Sequence, residues 1–114
     1  MRRIFCVGRN YAKHAKEFGN DERGPPFFFT KPADAIVASG TALTYPGLTQ
    51  DLHHEAELAV AIGTGGRDII AKDAASHIFG FACSNDLIHR DLQAVSKSQR
   101  RPWDMSKIFD ESAV

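Results

Sequence analysis

The sequence predicts a β-rich α+β domain, and three observations predict it. Short apolar runs recur along the chain, separated by clusters of Gly, Pro, Asn and Asp. Stretches with helical spacing are few and short. The segment from Glu55 to Gly63 alternates strictly, with Ala56, Leu58, Val60 and Ile62 on one parity and Glu55, Glu57, Ala59 and Ala61 on the other. Alternation at period two marks a half-buried strand. Strand runs with scattered short helices read as α+β rather than as a parallel α/β fold.

Taken in order, Arg3 to Val7 suits a strand, and Gly8-Arg9-Asn10 turns the chain. Asn10 is a good N-cap for a short helix over Tyr11 to Phe18, which Gly19 closes. Asn20 to Pro26 is polar and Gly/Pro-rich and reads as a surface loop. Phe27 to Pro32 is strand-like, and three consecutive aromatics cannot all share one face. Ala35 to Val37 and Leu43 to Tyr45 are further strand candidates, and Glu55 to Gly63 is the strongest. Thr64-Gly65-Gly66 is a turn. Lys72 to His77 reads as a helix, Ile78 to Asp86 as a buried strand, and Arg90 to Ser98 as a helix. The aromatic segment from Trp103 to Phe109 reads as strand-like.

With 114 residues, 43% hydrophobic and 25% charged, the chain suits one soluble globular domain. Fourteen basic residues balance fourteen acidic ones, so net charge argues for neither a nucleic-acid nor a membrane partner. Cys6 and Cys83 lie far apart in apolar runs, which reads as two reduced, buried thiols in a cytoplasmic protein. The apolar stretch after Met1-Arg2-Arg3 is too short for a signal-peptide core, and no later run is long enough to span a bilayer. The segment Phe109 to Val114 has no closing helix or strand behind it, which suggests a fragment or half of a larger unit.

Glu55 and Glu57 share a strand face whose other residues are small alanines. That pattern suits hard oxygen ligands for Mg²⁺ or Mn²⁺, with Ca²⁺ as a further candidate, but an exposed strand with two charges would read the same way. Asp86 ends an apolar run, where a carboxylate needs a partner, a ligand role or a helix-capping role. His14 and Glu17 are three apart on the first helix. A Glu can fix the tautomer of such a His so that the free nitrogen takes a proton from water, though surface His–Glu pairs share this spacing. His53 and His54 point to opposite strand faces, so at most one can face the acids. Lys31 and Lys107 lie beside aromatic segments. Each could hold a substrate carboxylate or a developing oxyanion, or simply be solvated. The Lys97, Arg100 and Arg101 cluster is short and lacks interleaved aromatics, so it reads as a solvated surface.

Together these segments resemble the fumarylacetoacetate hydrolase family. The motifs are FCVGRNYAKHAKE at Phe5 to Glu17, PPFFFTKPADA at Pro25 to Ala35 and DLHHEAELAVAIG at Asp51 to Gly63, followed by GGRDI at Gly65 to Ile69. GFACSNDLIHRDLQ at Gly80 to Gln93 and RPWDMSKIFD at Arg101 to Asp110 complete the set. Their form is most similar to the acylpyruvase and fumarylpyruvate hydrolase branch.

The resemblance implies a mixed β-sandwich roll of the fumarylacetoacetase C-terminal-domain type, of which residues 1–114 form the N-terminal part. It implies Glu55, Glu57 and Asp86 as carboxylates for Mg²⁺ or Mn²⁺. It implies His14 and Glu17 as a water-activating pair on a lid helix, and Lys107 as a residue that stabilises charge. Lys31 and Gln93 match polar positions near the site, and Arg9 a contact to a substrate carboxylate. A homodimer acting on a small anionic 2,4-dioxo acid follows, with cleavage of a C–C bond to give pyruvate and a second acid. Oxaloacetate decarboxylation, isomerisation and a non-catalytic metal-binding fragment are the alternatives. The sequence departs from the family at Asp86-Leu87-Ile88-His89-Arg90-Asp91, where the usual pattern is Asp-x-Thr-Arg-Arg-Asp. The family's later core strands and its Gly-Thr-Pro segment are also absent from these 114 residues.

Overall fold

A computed structural model describes residues 3–11 and 25–114. Two antiparallel pairs of strands form its framework. β1 (Ile4–Gly8) pairs with β2 (Phe27–Lys31), with Cys6 opposite Phe29 and Gly8 opposite Phe27. A Cβ at Gly8 would run into the Phe27 ring, so this close approach requires glycine. β3 (Leu52–Ile62) pairs with the long β4 (Ile78–His89). The connection between them ends in a 3₁₀ helix over Ala71–His77. β4 runs directly into α1 (Arg90–Ser98), and α2 (Asp104–Lys107) follows after a short turn.

The alternating segment is a strand, as its period requires, and α1 has the predicted limits. Several expectations need correction. Lys72 to His77 is 3₁₀ rather than α-helical. Residues 43–45 form no strand, and residues 35–37 contribute only one isolated bridge, between Ile36 and Ala113. A 3₁₀ turn over Ala33–Ala35 precedes that bridge, and Pro46 follows the second stretch, so neither has room for a ladder. Trp103 to Phe109 is not strand-like, because its centre is α2. The predicted helix over Tyr11 to Phe18 falls outside the described residues beyond Tyr11.

The parity of β3 holds a larger surprise. Glu55, Glu57 and Ala59 are half-buried, whereas Leu58, Val60 and Ile62 are exposed. β4 repeats the inversion: Asp86 to His89 are buried, but Phe79, Phe81 and Cys83 are exposed, so only its C-terminal end is the buried strand expected. Among the described residues, the buried centre therefore holds little hydrocarbon, namely Cys6, Ala35, Leu87 and Ile88. Around these sit buried Lys31, Asp86, His89, Gln93 and Lys107. Lysine and aspartate rarely lie inside a protein unless paired. Here they are paired, and the polar network they form is the candidate site.

Candidate metal centre

Strand register builds the site. Glu55 stands directly opposite Asp86, and Glu57 opposite Ser84, so the three carboxylates share one face of the β3–β4 ladder. One oxygen from each of Glu55, Glu57 and Asp86 lies within 4.8 Å of the other two. Like charges placed this way repel, and cations from three other elements offset the repulsion. Lys107 on α2 reaches in between two of the acids, with its Nζ donating to Glu55 Oε2 and to Asp86 Oδ2, each at 2.6 Å. Arg90, the first residue of α1, donates from Nη2 to Glu55 Oε1 at 2.6 Å and from Nη1 to Gln93 Oε1 at 2.9 Å. Lys31, the last residue of β2, places Nζ 2.9 Å from Asp86 Oδ1.

Lys31 does more than neutralise Asp86. Its ammonium also donates to the carbonyls of Leu87 and Ser112, at 3.1 and 3.0 Å. With its donors aimed there, Asp86 Oδ1 has a counter-charge but no directed hydrogen bond. Burial pulls the Lys31 ammonium below its ordinary value, against the neighbouring Asp86 charge that raises it.

The two glutamates titrate in opposite directions. Burial raises Glu55, but the hydrogen bonds and charges of Lys107 and Arg90 outweigh it, and its pKa falls below the ordinary 4.5. Burial also raises Glu57, the Asp86 charge adds to that, and no described cation touches its carboxylate, so its pKa ends above 4.5. The charges of Lys107 and Lys31 act on Glu57 without outweighing its burial and the Asp86 charge. The donor set fits a divalent ion: three hard carboxylate oxygens converge at a point already favourable to an ammonium.

Of the residues singled out in the sequence, the structure brings Glu55, Glu57, Asp86, Lys107 and Lys31 together, with Gln93 joined through Arg90. Arg9 lies with its guanidinium carbon 5.4 Å from the centre of the Phe27 ring. No hydrogen bond or ion pair among the described residues links it to the three acids. His14 and Glu17 lie outside the described residues. His53 shares the acid face of β3 and accepts from Arg90 Nε at 3.3 Å, so it is the one member of its pair near the site. His89 is buried and stacks on Phe109 with ring centres 3.9 Å apart. Sequence reasoning gave Arg90 no role. The available signal was its spacing, since it lies four residues beyond Asp86 and one helical turn before Gln93.

Residues 3–114 match the model of the fumarylacetoacetate hydrolase C-terminal family. The chain belongs to that family. Among solved structures, it superposes on the fumarylpyruvate hydrolase of Pseudomonas aeruginosa in complex with Mn²⁺ and pyruvate, with a TM-score of 0.90 and 52% identity. That match covers 99% of this chain and 51% of the other. The fold is therefore the β-rich α+β fold of this family. Among curated relatives, the chain is 44% identical to the mitochondrial oxaloacetate decarboxylase of Dictyostelium discoideum, over 96% of this chain and 50% of that protein. It is 42% identical to the mitochondrial oxaloacetate tautomerase of Arabidopsis thaliana, over 92% of this chain and 47% of that protein. The chain thus spans about half the length of the relatives it matches.

Proposed function

We propose that this family member contributes the metal-binding half of a divalent-metal-dependent C–C hydrolase acting on a 2,4-dioxo acid such as fumarylpyruvate. The convergence of Glu55, Glu57 and Asp86 within 4.8 Å carries the reading. The 52% identity to a fumarylpyruvate hydrolase that binds Mn²⁺ and pyruvate supports it. The three acids would hold Mg²⁺ or Mn²⁺, and a bound ion would polarise the substrate carbonyl and stabilise enolate charge.

The chain's own residues supply the rest. Arg90 and Lys107 fix both oxygens of Glu55, Lys107 fixes Asp86 Oδ2, and the Lys31 charge lies 2.9 Å from Oδ1, so the carboxylates are oriented before any ligand arrives. Lys107 is the cation best placed to meet negative charge growing on a substrate oxygen. His14, with Glu17 setting its tautomer, would remove the proton from the attacking water. Gln93 and Arg9 would contact the substrate's polar groups. A homodimer and a cytoplasmic setting complete the reading, although the Dictyostelium and Arabidopsis relatives are mitochondrial. Among the described residues no helix is long and apolar enough to cross a membrane.

The curated relatives favour a second reading, in which the same acids serve oxaloacetate decarboxylation or tautomerisation. In both, a bound ion would stabilise enolate charge, which arises as the keto acid loses carbon dioxide or as a proton moves between keto and enol forms, and neither needs an attacking water. A turnover assay with fumarylpyruvate, acetylpyruvate and oxaloacetate, with Mn²⁺ and with chelator, separates them. Metal-dependent loss of dioxo-acid absorbance with pyruvate released supports the hydrolase. Carbon dioxide or enol–keto exchange from oxaloacetate alone transfers the site to the second reading.

A further inference from the structure

His89 is the last residue of β4 and is only 1% exposed. No hydrogen bond or ion pair among the described residues joins it to Glu55, Glu57 or Asp86, so it takes no direct part in the acid cluster. Its Nδ1 lies 3.2 Å from the carbonyl oxygen of Met105. A carbonyl only accepts, so Nδ1 is the nitrogen that carries the proton. Nε2 is buried and has no hydrogen-bond partner among the described residues. A proton placed there would find no acceptor, which again selects the Nδ1–H tautomer.

The carbonyl it reaches belongs to α2, the four-residue helix that ends in Lys107. A helix of one turn leaves its last carbonyls without partners and is marginal on its own. The carbonyls of Trp103 and Asp104 accept from the amides of Lys107 and Ile108, but no described backbone amide donates to that of Met105. The Met105 side chain is 64% exposed and does little to anchor the helix. The His89 Nδ1–H therefore supplies the bond that the end of α2 lacks. The His89 ring also stacks on Phe109, with centres 3.9 Å apart and planes 20° from parallel. Lys107 is thus held from both sides, through residue 105 before it and residue 109 after it.

We propose that His89, as its Nδ1–H tautomer, is a positioning residue for the charged centre and acts through Lys107. Asp86 and His89 belong to the same strand, so the strand that presents the acid also holds the helix that presents the ammonium. The other two cations are fastened close by. Arg90 follows His89 directly in the chain, and Lys31 Nζ lies 5.5 Å from the centre of the Phe109 ring. In this tautomer the ring donates one bond and adds no charge beside Lys31, Arg90 and Lys107. The position departs from the family's Asp-x-Thr-Arg-Arg-Asp pattern, so the clamp is read from this chain's own geometry. The chemical role of Lys107 rests on the proposed function, but the clamp is a property of the metal-free chain.

The test uses the 114-residue chain without metal, so a failure of the metal reading would leave its outcome unchanged. A long-range ¹H–¹⁵N correlation spectrum of the parent, with His89→Asn assigning the signal, should show the His89 proton on Nδ1. Urea titrations then give the cost of Lys107→Met in three backgrounds: the parent, His89→Asn and His89→Phe. His89→Asn keeps an N–H donor near the Nδ1 position, whereas His89→Phe keeps a ring to stack on Phe109 but no donor. Lys107→Met should reduce the folded-to-unfolded ratio by the same factor, within about twofold, in the parent and in His89→Asn. In His89→Phe that factor should be smaller by about threefold or more, because Lys107 is already out of place. A ring that merely stabilised the fold would leave the factor alike in all three, since independent losses multiply. Three results would each overturn the proposal: a proton on Nε2, one common factor in all three backgrounds, or a reduced factor in His89→Asn. The spectrum and the His89→Asn comparison decide the question even if His89→Phe does not fold.

Discussion

Glu55 and Asp86 face each other across the β3–β4 ladder, and a single ammonium, that of Lys107, bridges them at 2.6 Å on each side. Two acids in register on adjacent strands would repel in isolation. Bridged, they form a preorganised anionic pocket, and Glu57, two residues along β3, adds a third charge that no described cation balances. The site is a cation-seeking centre with a resident internal cation.

The first prediction tests that description. Removing Lys107 as Lys107→Met leaves Glu55 and Asp86 without their shared partner. Breaking one side of a buried ion pair costs about 3–5 kcal/mol, with the lower end favoured here because Glu55 is partly exposed. The metal-free variant should unfold at markedly lower urea concentration than the parent. Saturating Mn²⁺ should restore much of the loss, because the ion replaces the missing positive charge. A variant as stable as the parent without metal would show that Lys107 does not compensate the acids.

The second concerns the proposed ligands. Glu57→Gln and Asp86→Asn each remove one anionic oxygen from the cluster while conserving shape. Each should weaken Mn²⁺ binding by about tenfold or more, on the scale at which even outer-shell partners change metal affinity. Isothermal titration or the Mn²⁺ paramagnetic resonance signal reads this directly. Unchanged affinity in Glu57→Gln would remove Glu57 from the ligand set.

How much of this was legible in the sequence depends on the range of the interaction. The period-two alternation of residues 55–62 placed Glu55 and Glu57 on one face, because side-chain direction in a strand is a local property. Which of the two faces is buried is not a local property. In this chain, Lys31, Lys107 and Arg90 converge from three separate elements to bury the acid side, while Leu58, Val60 and Phe81 stay uncovered. Pairing of Glu55 with Asp86 depends on register between segments about thirty residues apart, which no local pattern encodes. The helix at Asp104–Lys107 was hidden because four residues are too few for a helical period to appear. The strand reading of Leu43 to Tyr45 failed for the converse reason, since an apolar run without a pairing partner makes no ladder.

The third prediction follows from the opposite shifts of the two glutamates. Glu55 has a folded pKa below 4.5, so its contribution is present above 4.5 and is lost as pH falls through the depressed value. Glu57 has a folded pKa above 4.5, so the folded chain holds its proton more tightly than the unfolded chain. Stability therefore falls as pH rises from 4.5 through that raised value. Without metal, stability from urea titrations should climb to a maximum in the weakly acidic range and then decline toward neutrality. Glu57→Gln should abolish the decline, and Mn²⁺ should flatten it in the parent. A parent whose stability keeps rising to pH 7 without metal would contradict the uncompensated state of Glu57.

The two cysteines give the fourth. Cys6 is buried on β1, and burial, with the Asp86 charge adding to it, raises its thiol from the ordinary 9.0 to about 11. Cys83 lies exposed on the apolar face of β4. The thiolate is the reactive form, so iodoacetamide at pH 8 should label Cys83 and spare Cys6 in the folded chain, as read by peptide mass mapping. The same shift makes the folded state the stronger proton binder between pH 9 and 11. Over that window Cys6 should remove up to about 3 kcal/mol of stability, a loss absent from Cys6→Ala. Equal labelling of both thiols under native conditions would show that β1 does not hold Cys6 inside.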